Sequence, residues 1–120
     1  MDIFLWTVRR NEKDVVNLYD KLSPIMHHST GGHMLNFGLW NEKITDPLSA
    51  QENMCKYVEK LSEFSSSTFL ADIGSGLSAP AKLWKSNNPH LNIFCINTNF
   101  NQLSFDNTVA INKINSTATS

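Results

Sequence analysis

The stretch that most restricts the fold runs from Thr68 to Ile96, where a short apolar run, two close glycines, an amphipathic segment and a second apolar run follow without a break. Thr68-Phe69-Leu70-Ala71 is too short for a stable helix and is bounded by Ser65-Ser66-Ser67 on one side and Gly74 and Gly76 on the other. That pattern predicts a buried strand. Ser78 then stands where a helix N-cap is expected, and Pro80 is tolerated because it falls in the first turn. The predicted helix carries Ala81, Leu83 and Trp84 and stops at Asn87-Asn88-Pro89. Leu91 to Ile96 is a second buried-strand candidate. Strand, glycine loop, helix and strand make a βαβ unit, whose right-handed crossover demands parallel strands with helices on the sheet faces.

The flanks are predicted to be helical. From Asn11 to Met26, Val15, Leu18, Tyr19 and Leu22 fall on one helical face, and Pro24 is expected to end that helix or mark its last turn. Residues 27–43 (HHSTGGHMLNFGLWNEK) read as a loop. Asp46 as N-cap with Pro47 at the first helical position opens a second helix, with Met54, Val58 and Leu61 on one face and Tyr57 and Phe64 alongside. Asn99 to Phe105 opens another helix, and the ending NKINSTATS is polar. Two strands cannot bury both faces of a sheet, so the chain is expected to be the first part of a larger α/β domain or to rely on a partner at its sheet edge.

Composition narrows the function. At 120 residues, one domain is the ceiling. Apolar residues at 41% and charged residues at 18% suit a packed fold. Ten basic against eleven acidic residues, with no basic stripe, give no footprint for nucleic acid. The run Ile3-Phe4-Leu5-Trp6 is far too short to span a bilayer, and Arg9 and Arg10 follow it instead of preceding it as in a signal peptide. A cytoplasmic protein with no membrane partner is expected. Cys55 and Cys95 form no CxxC pair and read as buried structural thiols.

The glycine loop carries the chemistry. Gly74 and Gly76 lie at the carboxyl end of the first strand with a helix N-terminus behind them, where α/β sheets bind ligands; the plain alternative is a tight turn holding nothing. Residues 74–79, GSGLSA, can be read as the dinucleotide pattern GxGxxG/A. Two features oppose a nicotinamide or flavin cofactor: position 97 is Asn where that pattern wants an acid, and Asp72 would set a carboxylate beside a dianionic pyrophosphate. A cofactor with an amino group and a sulfonium, and no phosphate, fits Asp72 better.

With these residues in hand, ADIGSGLSAP is similar to the first motif of the class I S-adenosylmethionine-dependent methyltransferases, an acid-x-Gly-x-Gly loop, with Ser78 where many members have a third glycine. LNFGLWNEKITDPLSAQENM at 35–54 resembles the segment before the core domain in small-molecule members of the type 11-like kind, and IFCINTNFNQL at 93–103 resembles their second strand and following turn. The resemblance implies a partial Rossmann-like methyltransferase fold: residues 1–66 as a helical segment with a cofactor-covering loop, and 67–120 as the first part of the S-adenosyl-L-methionine-binding α/β domain, supplying two strands of the family's sheet. It implies that Asp72, Gly74, Ser75 and Gly76 surround the methionine part of the cofactor. Asn97 stands where an acid holds the ribose hydroxyls, and its amide oxygen can still accept one hydrogen bond. Thr98 and Gln102 match positions that contact the nucleoside, and Asn36, Phe37 and Gly38 match the loop that closes over the cofactor. In NSTATS, which resembles the approach to the turn after the third strand, Thr117 and Ala118 match positions that meet the adenine. The implied partner is a small-molecule methyl acceptor; no catalytic base is implied.

Other constellations carry less. His27, His28 and His33 lack metalloenzyme spacing and have no acid or thiol at ligand distance in sequence, so they read as a polar loop near the substrate mouth, one of them able to accept a proton. G-x-S-x-G is absent. Phe37, Trp40 and Trp84 lack interleaved basic residues and read as core or pocket lining. The rival to an enzyme is a non-catalytic chain that keeps the βαβ core and serves as an interaction module or is a degenerate methyltransferase fragment.

Overall fold

The βαβ unit forms, and the sheet continues one strand beyond it. The computed structural model describes residues 12–105 and 111–117. In chain order the elements are α1 (Glu12–Thr30), α2 (Pro47–Leu61), β1 (Phe69–Ile73), α3 (Ala79–Asn87), β2 (Asn92–Asn97), α4 (Phe100–Leu103) and β3 (Asn112–Asn115). Both pairings are parallel: β1 meets β2 from Phe69 opposite Asn92 to Ile73 opposite Ile96, and β2 meets β3 from Phe94 opposite Asn112 to Asn97 opposite Asn115. The order is β1-β2-β3. Ala118 and the run around Ile3 lie outside the described residues.

The third strand corrects the expectation of two. Its residues NKIN offer one aliphatic side chain and no alternation, so hydrophobic patterning cannot reveal it. Side-chain amides tie it in: Asn112 Nδ2 donates to Ile93 O (3.3 Å), and Asn115 Nδ2 donates to Asn97 O (2.9 Å) and Thr98 O (3.0 Å).

Among the described residues helices cover one face of the sheet, whereas the sequence reading places them on both. Ile93 and Cys95 of β2 share one core cluster with Ala81 and Trp84 of α3, Leu103 of α4, and Met34, Cys55 and Phe64. On the opposite face Phe69 and Ile73 stay 68% and 61% exposed. Successive right-handed crossovers running in one direction along a sheet place their helices on the same side, which accounts for the asymmetry. Trp84 anchors the covered side. Its Nε1 donates to Cys55 O at 3.0 Å, and its ring meets Phe64 edge-on at 5.3 Å. Both cysteines are free, buried thiols.

Three helical expectations change. Pro24 does not end α1, which runs on to Thr30. A proline costs a helix one hydrogen bond and clashes with the preceding turn, but nearby hydroxyls back-bond to the helix: Ser23 Oγ to Tyr19 O (2.7 Å), Ser29 Oγ to Ile25 O (2.8 Å) and Thr30 Oγ1 to Met26 O (2.9 Å). In α2, Asp46 caps as expected, its Oδ1 accepting from Ser49 N at 2.9 Å. The buried face of α2, however, is Ala50, Gln51 and Cys55, while Tyr57 and Leu61 are exposed. The reason is that the chain at 34–39 lies across this helix: Gln51 Nε2 donates to Met34 O and Asn36 O, and Leu39 N donates to Ala50 O. Ser78 precedes α3 as expected but makes no side-chain cap; it holds a left-handed conformation, φ 62°.

Candidate functional site

Where β1 ends, the backbone turns sharply through Gly74 (φ 75°) and Gly76 (φ 55°), values that a side chain makes costly. The turn is pinned to the neighbouring strand by Gly74 N donating to Ile96 O at 2.7 Å and Ser75 N donating to the same oxygen at 3.3 Å. A Cβ added at Gly74 would meet nothing within 4 Å, so this glycine serves the backbone turn and leaves open space beside it. Gly74 is among the residues that line a cavity of about 420 Å³, within the usual range for small-molecule sites.

Asp72 sets the electrostatics of the cavity. Its side chain lines the space, and Oδ2 is buried with no hydrogen-bond partner. Burial pushes its carboxyl above the ordinary carboxylate value. Among the described residues no lysine or arginine lines the cavity. A desolvated, unpaired carboxylate is a costly feature that a bound cation would offset. Among the described residues there is no cluster of three or more metal-ligating side chains.

At the end of β2 the walls are amides. Asn97 Nδ2 donates to Gly76 O (3.2 Å) and Gln102 Oε1 (2.9 Å), which uses both of its protons. Its Oδ1 receives only a long bond from Asn99 N (3.4 Å) and keeps capacity to accept. Gln102 Nε2 donates to Ser23 Oγ (2.9 Å), and Asn99 Nδ2 donates to Asp20 Oδ1 (2.8 Å). The network therefore ties α1 to the end of β2 and brings α1 over the cavity, which Val15, Val16 and Tyr19 line.

The structure gathers Asp72, Gly74, Ser75, Gly76, Asn97, Thr98, Gln102 and Asn36 around this one space. Phe37 and Gly38 do not line it. Phe37 is 87% exposed, and Gly38, at φ 83°, lies so close to α2 that a Cβ would come within 2.6 Å of the Ala50 backbone. Thr117 lies beyond β3 and does not line it either; Ala118 lies outside the described residues. Trp84 is core as expected, but Trp40 is exposed, its Nε1 donating to Phe37 O at 3.0 Å. The contribution of α1 was missed. Its apolar periodicity was visible, but only the 79-residue separation between Ser23 and Gln102, closed by a hydrogen bond, shows what that face covers.

No protein-family model matches the sequence, and no curated protein matches it. Among solved structures, the chain is similar to the [4+2]-cyclase SpnF, with a TM-score of 0.69 and 22% identity over 78% of this chain and 35% of that one. The fold is part of a Rossmann-like α/β domain. The Rossmann-like sheet explains the position of the cavity, at the carboxyl ends of parallel strands. The chain spans 35% of the length of SpnF. Among the described residues no helix is long and apolar enough to cross a membrane.

Proposed function

We propose that this chain forms the S-adenosyl-L-methionine site of a methyltransferase acting on a small organic acceptor. The observation that carries the reading is Asp72, whose carboxyl Oδ2 is buried without a hydrogen-bond partner beside the glycine loop, in a cavity that no lysine or arginine lines among the described residues. Nucleotide cofactors bound through phosphates need donors and positive charge there; Asp72 offers the reverse. S-adenosyl-L-methionine offers an ammonium, a sulfonium and two ribose hydroxyls, and no phosphate.

In this reading Asp72, with Gly74, Ser75 and Gly76, holds the methionine part. Asn97 Oδ1 accepts from a ribose hydroxyl, with Thr98 and Gln102 beside the nucleoside. When bound, the cofactor supplies a methyl group on an already activated sulfonium leaving group. The protein's own contribution is to hold the partners in line and exclude water. Val15, Val16 and Tyr19 of α1 supply that cover, with Leu35 and Asn36 beside them. Residues 1–66 then act as a covering segment, and 67–120 as the first part of the cofactor-binding domain.

The exposed apolar sheet face at Phe69, Ile73 and Ile114 favours a second reading, a non-catalytic interaction module. Thermal unfolding with S-adenosyl-L-methionine or NAD separates the two. A selective ligand at 100 times its dissociation constant adds about 2.7 kcal/mol, so stabilisation by S-adenosyl-L-methionine alone supports the enzyme. A cooperative transition that S-adenosyl-L-methionine does not move would overturn it.

A further inference from the structure

A second cavity of about 290 Å³ adjoins the first. Leu77, His33 and Gln102 line both, so the two spaces share a wall. The rest of its lining comes from α1, through Asp20, Ser23, Pro24 and His27, and from Asn101 and Phe105.

The polar atoms of this second space are largely engaged. Ser23 Oγ donates to Tyr19 O and accepts from Gln102 Nε2, and Gln102 Oε1 accepts from Asn97 Nδ2. Asp20 Oδ1 accepts from Asn99 Nδ2, and His27 Nδ1 lies 2.9 Å from Gly32 O, an acceptor to which it must donate. Apart from the Asn101 amide, the remaining surface is mostly ring and aliphatic. His27 and His33 stack with centroids 4.2 Å apart and planes 12° from parallel, and Phe105 tilts against His33 at 4.8 Å. Pro24 and Leu77 complete the wall. Such a surface rewards a flat apolar group by stacking and area burial. The Asp20 carboxylate on the same wall, with no lysine or arginine among the described residues that line the space, disfavours an anion.

We infer that this cavity is a subsite for an uncharged, planar aromatic group, placed to receive the methyl acceptor beside the cofactor. Its acceptor role rests on reading the first cavity as the cofactor site; its preference for aromatic ligands does not. The sequence singled out these histidines as a polar loop, but His27 and His28 lie on α1, and His33 closes the stack from the chain beyond it.

The test is fluorescence titration of the full chain with 2-naphthol and with 2-naphthoate, S-adenosyl-L-methionine being titrated in parallel. Neutral 2-naphthol should bind saturably and the carboxylate roughly tenfold more weakly. Asn101→Trp, an exposed position that lines only the second cavity, should fill the space and abolish naphthol binding. Phe105→Ala should weaken it several-fold, and neither substitution should change affinity for S-adenosyl-L-methionine. Absence of saturable naphthol binding, indifference to Asn101→Trp and Phe105→Ala, equal binding of naphthoate, or competition between naphthol and S-adenosyl-L-methionine would overturn the inference. Loss of the S-adenosyl-L-methionine signal with naphthol binding intact would remove the acceptor role and leave an aromatic-binding site.

Discussion

Replacing Asp72 with asparagine separates what this residue does for the fold from what it does for a ligand. In the free protein Oδ2 is buried without a partner, and burying an ionised carboxylate costs more than burying a neutral amide in the same place. A neutral isostere removes the charge and keeps the shape, so the free variant should be about 1 kcal/mol more stable at neutral pH. For a chain of this size that is a rise in Tm of roughly 4 °C. The pH dependence fixes the sign. Burial raises the carboxyl's value in the folded state, so the folded chain holds this proton more tightly than the unfolded chain does. Stability is therefore highest below the ordinary carboxylate value and falls as pH rises through the raised one. Asp72→Asn lacks that decline, and its advantage should open across the same interval. Affinity for S-adenosyl-L-methionine should move the other way: losing a charge-assisted contact of about 1.5–3 kcal/mol weakens binding roughly 10- to 150-fold. Thermal unfolding from acid to neutral pH, with and without S-adenosyl-L-methionine, reads both effects. A variant less stable than wild type at neutral pH, or one that binds S-adenosyl-L-methionine unchanged, refutes the assignment.

Other substitutions probe the frame around the site. Ser78→Gly relieves a left-handed residue whose buried hydroxyl makes no cap; a gain of about 1 kcal/mol is expected in urea unfolding. Gly38→Ala combines φ 83° with a Cβ only 2.6 Å from Ala50 and should cost about 2 kcal/mol or more by the same assay. Asn97→Asp exchanges a donor for a second acceptor facing Gly76 O and Gln102 Oε1, and should lower stability by about 2–3 kcal/mol at neutral pH, with partial recovery in acid where the carboxyl is protonated.

Local geometry explains which features the sequence discloses. Gly74 and Gly76 announce a turn because positive φ is expensive elsewhere, and the short apolar runs beside them have no helical reading, so β1, α3 and β2 are legible. β3 is not, because its pairing is reinforced by asparagine side chains that carry no apolar pattern. The inward face of α2 is hidden for a related reason: its contacts are Gln51 to backbone carbonyls and Gly38 on Ala50, neither of which periodicity weighs. The site divides along the same line. Asp72 and the glycines are adjacent in sequence and visible together, whereas the placement of α1 depends on Gln102 meeting Ser23 and Asn99 meeting Asp20. The loop at 35–38 shows the limit of a motif. Asn36 turns towards the cavity and accepts from Gly38 N at 2.8 Å, while Phe37 beside it points away.

The central claim, that the Asp72 carboxylate and the glycine loop hold a cation-bearing nucleoside, is tested most directly by calorimetric titration of the chain with S-adenosyl-L-methionine and, separately, with adenosine, which lacks both the ammonium and the sulfonium. The account predicts saturable binding of S-adenosyl-L-methionine at least tenfold tighter than that of adenosine, with the difference lost in Asp72→Asn. Equal affinities for the two ligands, or no binding of S-adenosyl-L-methionine by the folded chain, would contradict it.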